Sequence, residues 1–244
     1  MGQVKLNVQL LESTENAISL IYAACRQCYS AQFAGDIFNQ DNVSLQDKTE
    51  FVRKVVASGH DSPLEHVKFT FAVEGVSRAL THQLVRHRMA SYSQQSQRYV
   101  QESNFQYIIP PTIESDAELK AEFVQAMRDI QLSYNALLAR FKQIGKTGEQ
   151  ANQDARFVLP QAAETKIVLT MNCRELLHFF KHRCCIRAQW EIRALANQML
   201  AMAQEKLPCI FENAGAKCEE LKYCPEGEKF SCGKYPAKSS AISG

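Results

Sequence analysis

The sequence predicts an α+β fold, a single domain in which a small, mainly antiparallel central sheet is flanked by long helices. Three observations carry this expectation. The chain has 244 residues of which 45% are hydrophobic, enough for one substantial core. Short stretches of period-two alternation are interspersed with longer stretches of helical periodicity. There is no G-x-G-x-x-G string, so a Rossmann nucleotide cradle is not expected.

Residues 4–11 alternate as a strand, and Ser13-Thr14-Glu15-Asn16 offers caps for a helix running to about residue 29. A second helix, about residues 45–58, should stop at Gly59. Val67, Phe69, Phe71 and Val73 alternate with Lys68 and Thr70, which predicts a strand over residues 66–73. Helical spacing returns over residues 77–88, and the polar residues 91–97 are expected to be irregular. Pro110-Pro111 interrupts the chain after Tyr107-Ile108-Ile109. Residues 115–144 read as a long amphipathic helix closed by Gly145, followed by a short helix through Arg156 that stops near Pro160. Residues 167–171 predict a strand, and residues 174–207 one broken helix or two consecutive ones. Beyond Pro208 the apolar periodicity gives way to Gly, Pro, Cys and Glu-Lys pairs. The chain therefore divides into a domain over residues 1–207 and a cysteine-containing C-terminal extension over residues 208–244.

Several functional classes drop out on composition. A net charge of +2 is too small for a chain that coats nucleic acid, so any anion site must be local. No segment has the run of roughly 20 apolar residues that a membrane span needs, and residues 1–5 run into the first strand without the apolar core of a signal peptide. A cytoplasmic protein is expected. Its nine cysteines are then expected to be reduced thiols, and Cys25-x-x-Cys28, which has no second such pair, to be core packing. Cys209, Cys218, Cys224 and Cys232 in the extension lack the short C-x2-4-C spacing of structural zinc sites, so no metal is expected. The extension should lie outside the active site, and be dispensable provided that Cys209 to Phe211 do not pack on the core.

Charge is uneven along the chain. Residues 76–101 contain four arginines (Arg78, Arg86, Arg88, Arg98), two histidines and no acidic residue. A second basic excess, residues 166–193, has six basic residues against Glu175 and Glu191. Arginine presents a planar fork of donors suited to phosphate oxygens. Leu80, Leu84 and Val85 tie the first cluster to a core, while Gln83 and Arg86, three apart, share a helical face. Ser91 through Gln97 then supply neutral donors and acceptors, so a loop anchored by arginines at both ends can wrap a nucleotide. His66 in the strand, and His82, His182 and Trp190, read as structural or surface groups.

The string RHRMASYSQQSQRY, with Arg86-His87-Arg88 and, after seven intervening residues, Ser96, resembles the signature of the flavin-dependent thymidylate synthases. Similarity continues in the family's order at His60-Asp61-Ser62-Pro63-Leu64-Glu65-His66, at Ala155-Arg156-Phe157-Val158-Leu159-Pro160 and from Asn172 to Trp190, covering about residues 20–205. The resemblance implies FAD contacts at Ser62, Arg86, His87, Arg88, Gln94, Asn172, Arg174 and His178. It implies dUMP contacts at Gln83, Arg86, Gln94, Gln95, Ser96, Gln97, Arg98, Arg156 and Arg183, and places His60 near flavin and folate. Arg183 matches the arginine that promotes ionisation of the uracil ring. The implied reaction converts dUMP to dTMP, with methylenetetrahydrofolate as one-carbon donor, NADPH as reductant and a homotetramer whose sites are shared between chains.

The chemistry can be weighed without the family. Methylation at uracil C5 needs raised electron density there, from a thiolate or from electrophilic polarisation together with hydride from a reduced cofactor. No cysteine lies between Arg86 and Arg98; Cys184 and Cys185, beside Arg183, are the only tempting thiols. A guanidinium aimed at developing charge is the remaining route. Arg174 and His178 share a helical face, whereas Arg183, nine residues on from Arg174, lies about half a turn round. Either the helix breaks near His182, or its two faces serve sites shared between subunits. Two other readings stay open: a related flavin- or folate-dependent pyrimidine-modifying enzyme, such as one making hydroxymethyl-dUMP, and an RNA-binding module built on the Arg86–Arg98 region.

Overall fold

The computed structural model describes residues 1–238. Four strands, β1 (Asn7–Ser13), β2 (Lys68–Ser77), β3 (Ala90–Gln94) and β4 (Glu164–Asn172), form an open antiparallel sheet in the order β1-β2-β4-β3. The helices are α1 (Ala17–Gln27), α2 (Ala34–Asn39), α3 (Leu45–Ala57), α4 (Arg78–Leu84), α5 (Pro111–Glu114), α6 (Ala117–Gln143), α7 (Glu149–Ala155), α8 (Cys173–Arg183), α9 (Trp190–Lys206), α10 (Pro208–Phe211) and α11 (Lys217–Leu221). Short 3-10 turns occupy Ser62–His66 and Arg156–Val158. The mixed helix-and-sheet class expected from the sequence is the observed one.

By packing, the chain forms two compact units. The first comprises Met1–Asn7, Ala72–Arg86 and Tyr92–Val168; the second comprises Val8–Phe71, His87–Ser91 and the chain from Leu169. In the first unit Phe105, Tyr107, Ile109, Met127 and Ala163 form a buried cluster with Phe123 and Ile130 of α6 against it. Asp116 starts α6 by accepting the Glu118 and Leu119 N–H groups at 2.9 and 3.0 Å. Gly145 follows its end at φ 78°, the left-handed stop the sequence announces. In the second unit Tyr22, Ala23 and Ile37 pack together, and Phe69 meets Phe211 edge-on at 5.8 Å.

Several boundaries depart from the sequence reading, each for a physical reason. Asn16 precedes α1 in the left-handed region, φ 51°, and its side chain caps nothing. Thr14 instead uses its hydroxyl to accept the Lys68 N–H at 2.9 Å, so that polar run serves strand pairing. Helix α4 ends at Leu84, four residues short of Arg88, because the Tyr92 hydroxyl donates to the Leu84 carbonyl at 2.9 Å and satisfies the helix end. Of residues 91–97, expected to be irregular, 91–94 belong to strand β3, where pairing with β4 overrides the weak strand propensity of Ser and Gln. His66 ends a 3-10 turn rather than opening a strand, and is exposed. Cys25 is buried as expected of core packing, but Cys28 is exposed. The stretch 174–207 resolves as two consecutive helices: α8 runs unbroken to Arg183, and Gln189 caps α9 by accepting the Glu191 and Ile192 N–H groups.

Gly75 is the glycine the fold most strictly requires. It sits in β2 at φ 68°, and a Cβ there would stand 1.9 Å from the Lys5 carbonyl oxygen. Backbone cannot yield as a flexible side chain can, so Gly75→Ala is expected to destabilise the protein by more than about 1 kcal/mol. Thermal unfolding reads this directly; an unchanged midpoint would contradict it.

The extension begins with α10, whose Cys209, Ile210 and Phe211 are buried. Further on, the Cys224 N–H donates to the Pro236 carbonyl at 2.7 Å and the Lys238 N–H to the Cys224 carbonyl at 3.1 Å, closing the segment on itself. Among the described residues no group of three or more His, Cys, Asp or Glu side chains is placed to hold a metal, and no helix is long and apolar enough to cross a membrane.

Candidate active site

The expected site residues divide between the two units. In the first, Gln83 lies on α4, but Arg86 lies beyond the helix end, exposed, its N–H turned back to the Gln83 carbonyl at 3.2 Å. The shared helical face expected for this pair is therefore replaced by a turn. Gln94 closes β3 and donates through Nε2 to Thr81 and Thr165 hydroxyls at 3.2 and 3.1 Å, which fixes its amide orientation. The Gln95 N–H continues the ladder to the Lys166 carbonyl at 2.9 Å, and the Ser96 hydroxyl accepts the Arg98 N–H at 3.2 Å. Arg98 is exposed and ion-paired with Glu149 of α7.

Gln97 is different, because its side chain is only 7% exposed and its Nε2 has no hydrogen-bond partner. Asn152 of α7, which donates through Nδ2 to the Arg98 carbonyl at 3.1 Å, likewise has a buried Oδ1 without a partner. A buried amide atom left unsatisfied costs about 1–3 kcal/mol, so an orphan donor and an orphan acceptor beside the same loop point to a bound molecule. Arg156, in its 3-10 turn, donates through Nε to the Gln153 carbonyl at 3.2 Å.

Arg78 was not singled out by the sequence beyond its place in the basic run. Its Nη1 donates to the Gln95 carbonyl at 3.4 Å, and burial together with the nearby Arg156 guanidinium lowers its pKa, with Glu102 opposing. Two guanidiniums within each other's field favour an anion nearby. The usable signal was its position opening α4, one residue after the Ser77 N-cap, where an arginine opposes the helix dipole and needs another purpose.

In the second unit Ser62 is exposed on its 3-10 turn, and His60 is half-buried, with its Nδ1 3.9 Å from the Cys25 sulfur and its ring near Tyr29. Asn172 caps α8, its Oδ1 accepting the Glu175 N–H at 2.8 Å. Arg174 is exposed and ion-paired with Glu65. His178 is exposed, its ring 5.9 Å from that of His87 and 4.3 Å from that of His182. Arg88 is exposed.

His87 is the buried member, 6% exposed, held edge-on against Phe179 at 4.8 Å. Its Nδ1 lies 3.0 Å from Oε1 of Glu175, and its Nε2 accepts a hydrogen bond from Nε of Arg183 at 3.1 Å. Burial, then the Arg183 charge and the neighbouring His178 and His182, hold its pKa down to about 4, so at neutral pH the imidazole is uncharged. The contact with Glu175 is thus a hydrogen bond from a neutral ring rather than an ion pair. Glu175 was missed as a site residue, although it shares a helical stripe with the buried Phe179.

Arg183 also lines a cavity of about 200 Å³ whose further walls include Lys217, Phe230 and Tyr235 of the extension. The extension thus reaches the side of α8 that carries Arg183. Burial pushes the adjacent Cys184 thiol up to about 12, with Cys185 and Glu219 adding to the effect. A thiol so rarely ionised is a poor nucleophile at neutral pH.

Residues 9–209 match the family model described as thymidylate synthase complementing protein. The chain is 56% identical over 243 residues to the flavin-dependent thymidylate synthase of Nitratidesulfovibrio vulgaris, an alignment covering 98% of this chain and 99% of that one. The protein belongs to the flavin-dependent thymidylate synthase family. Proteins of the same name from Clostridium tetani, 46% identical with 94% of both chains covered, and from Pyrococcus abyssi, 41% identical with 91% of both covered, are further relatives. Membership in this flavin-dependent thymidylate synthase family, which makes the protein an enzyme, agrees with a site that offers arginines and amides but no activated thiol at Cys184. The family match runs from β1 to Cys209, the second residue of α10.

Proposed function

We propose that the protein converts dUMP to dTMP, with FAD as its flavin, methylenetetrahydrofolate as one-carbon donor and NADPH as reductant. Beside family membership, the observation that carries this reading is the orphaned pair of buried amide atoms, Gln97 Nε2 and Asn152 Oδ1. A nucleotide supplies both the acceptor and the donor that these atoms lack.

In this reading Gln83, Arg86, Gln94, Gln95, Ser96, Gln97, Arg98, Arg156 and Arg183 bind dUMP, with Arg78 added for its phosphate. Ser62, Arg86, Arg88, Gln94, Asn172, Arg174 and His178 hold FAD, and His60 lies near flavin and folate. His87 joins the FAD set only through atoms other than its ring nitrogens, both of which are engaged within the protein. The donor set suits a flavin nucleotide: Asn172 keeps its amide nitrogen after capping α8, and the exposed Arg88 and Arg174 supply charge for phosphates. Bound reduced flavin supplies the hydride equivalent that turns the transferred carbon into a methyl group. Arg183, held through Nε, offers its two terminal nitrogens to negative charge on the pyrimidine, while buried Gln97 orients the nucleotide.

Assembly into a homotetramer with shared sites is part of the proposal. Because α8 does not break before Arg183, its two faces diverge by half a turn, and Phe157 and Tyr99 are left 83% and 69% exposed. Purified protein is expected to be yellow, to release FAD on denaturation, and to scatter light as four chains. Protein that forms dTMP after complete removal of flavin would contradict the reading.

A further inference from the structure

Two side chains of α8 and one from about ninety residues upstream form one hydrogen-bonded line, Glu175 to His87 to Arg183. A guanidinium nitrogen can only donate, so Nε2 of His87 must present its lone pair to Arg183. In a neutral imidazole the proton then sits on Nδ1, where the Glu175 carboxylate, 3.0 Å away, accepts it. Glu175 and His87 are each held by a further contact. Glu175 occupies the third position of α8 with its N–H on the Asn172 cap, and the His87 ring is wedged against Phe179.

We propose that Glu175 and His87 are positioning residues for Arg183: the carboxylate sets the imidazole tautomer, and the imidazole holds Nε so that both terminal nitrogens of the guanidinium face the pyrimidine. The inference rests on the role given to Arg183 above. It gives the middle residue of the Arg86-His87-Arg88 string a task that a phosphate contact would not require. A charged imidazolium could not accept from Arg183, so the line works only while His87 is neutral. The charged or titratable groups facing the ring include Glu175, Arg183, His178 and His182. The first is its acceptor, and the other three all disfavour a second proton on it.

The test compares Glu175→Leu with Glu175→Gln in the full-length holoenzyme. The glutamine oxygen can still accept from Nδ1, whereas leucine cannot. Glu175→Leu is expected to lower kcat by roughly 10- to 100-fold, the scale of a misplaced catalytic group, with KM for dUMP and flavin content near native. Glu175→Gln should restore kcat to within a few-fold of native. Glu175→Leu with native kcat would overturn the proposal. Histidine-selective 15N labelling of the unsubstituted protein keeps the proposal open to disproof even if Glu175→Leu fails to fold. His87 should carry its proton on Nδ1 at neutral pH, and a proton on Nε2 would overturn the proposal. Arg183→Ala, run in parallel, separates the two levels. Native turnover in that variant would remove the role of Arg183 and this inference with it. Lost turnover there with native kcat in Glu175→Leu would remove the positioning alone.

Discussion

Replacing Arg183 with alanine is expected to cut turnover about 100- to 1,000-fold, the usual loss when one donor aimed at developing charge is removed. Flavin should stay bound, since the FAD contacts proposed above come from other residues. The pairing of Arg183 Nε with a neutral, buried His87 makes this a preorganised donor, so little reorganisation is needed at the moment of reaction. Steady-state kinetics with a flavin-to-protein ratio measures both halves of the expectation. Cys184→Ala is the control, and should retain activity because burial keeps that thiol protonated. A folded, flavin-loaded Cys184→Ala enzyme without turnover would point to a sulfur nucleophile.

Phe211→Ala is expected to cost about 3–5 kcal/mol of stability, the range for emptying an aromatic site in a packed core. Phe211 is fully buried and meets both Phe69 and Phe180 edge-on, at 5.8 and 6.0 Å. A chain cut after Leu207 loses Cys209 and Ile210 as well, so the condition under which the extension would be dispensable is not met. That truncation should misfold or unfold at markedly lower denaturant, and it also removes the Lys217, Phe230 and Tyr235 walls of the cavity beside Arg183. Urea unfolding reads the difference; an unchanged midpoint in Phe211→Ala would show that α10 contributes nothing to the core.

Where a signal is local, the sequence announced it. The alternation of Val67, Phe69, Phe71 and Val73 places β2, and Gly145 closes α6, because caps and periodicity act within a few residues. Strand β3 was not legible, since Ser and Gln become a strand only through pairing with β4, some seventy residues later. The end of α4 was equally hidden: Val85 and Arg86 continue a helical pattern, and the stop comes from the hydroxyl of Tyr92. The site shows the same division. The string from Arg86 to Arg98 marks residue types suited to an anion, whereas what positions them is non-local. Glu175 reaches His87 across 88 residues of sequence, and the burial of Gln97 and Asn152 depends on α7 packing by the Arg98 turn. No spacing rule announces such contacts.

In the proposed reaction this protein methylates dUMP with a flavin in place of a thiolate. A single-turnover experiment tests it most directly: protein reduced to its hydroquinone flavin, without free reductant, is mixed with dUMP and methylenetetrahydrofolate, and flavin oxidation is followed alongside quenched product. One dTMP formed per flavin oxidised, with none when dUMP or methylenetetrahydrofolate is omitted, is the predicted result. Formation of dTMP while the flavin remains reduced would contradict this reaction.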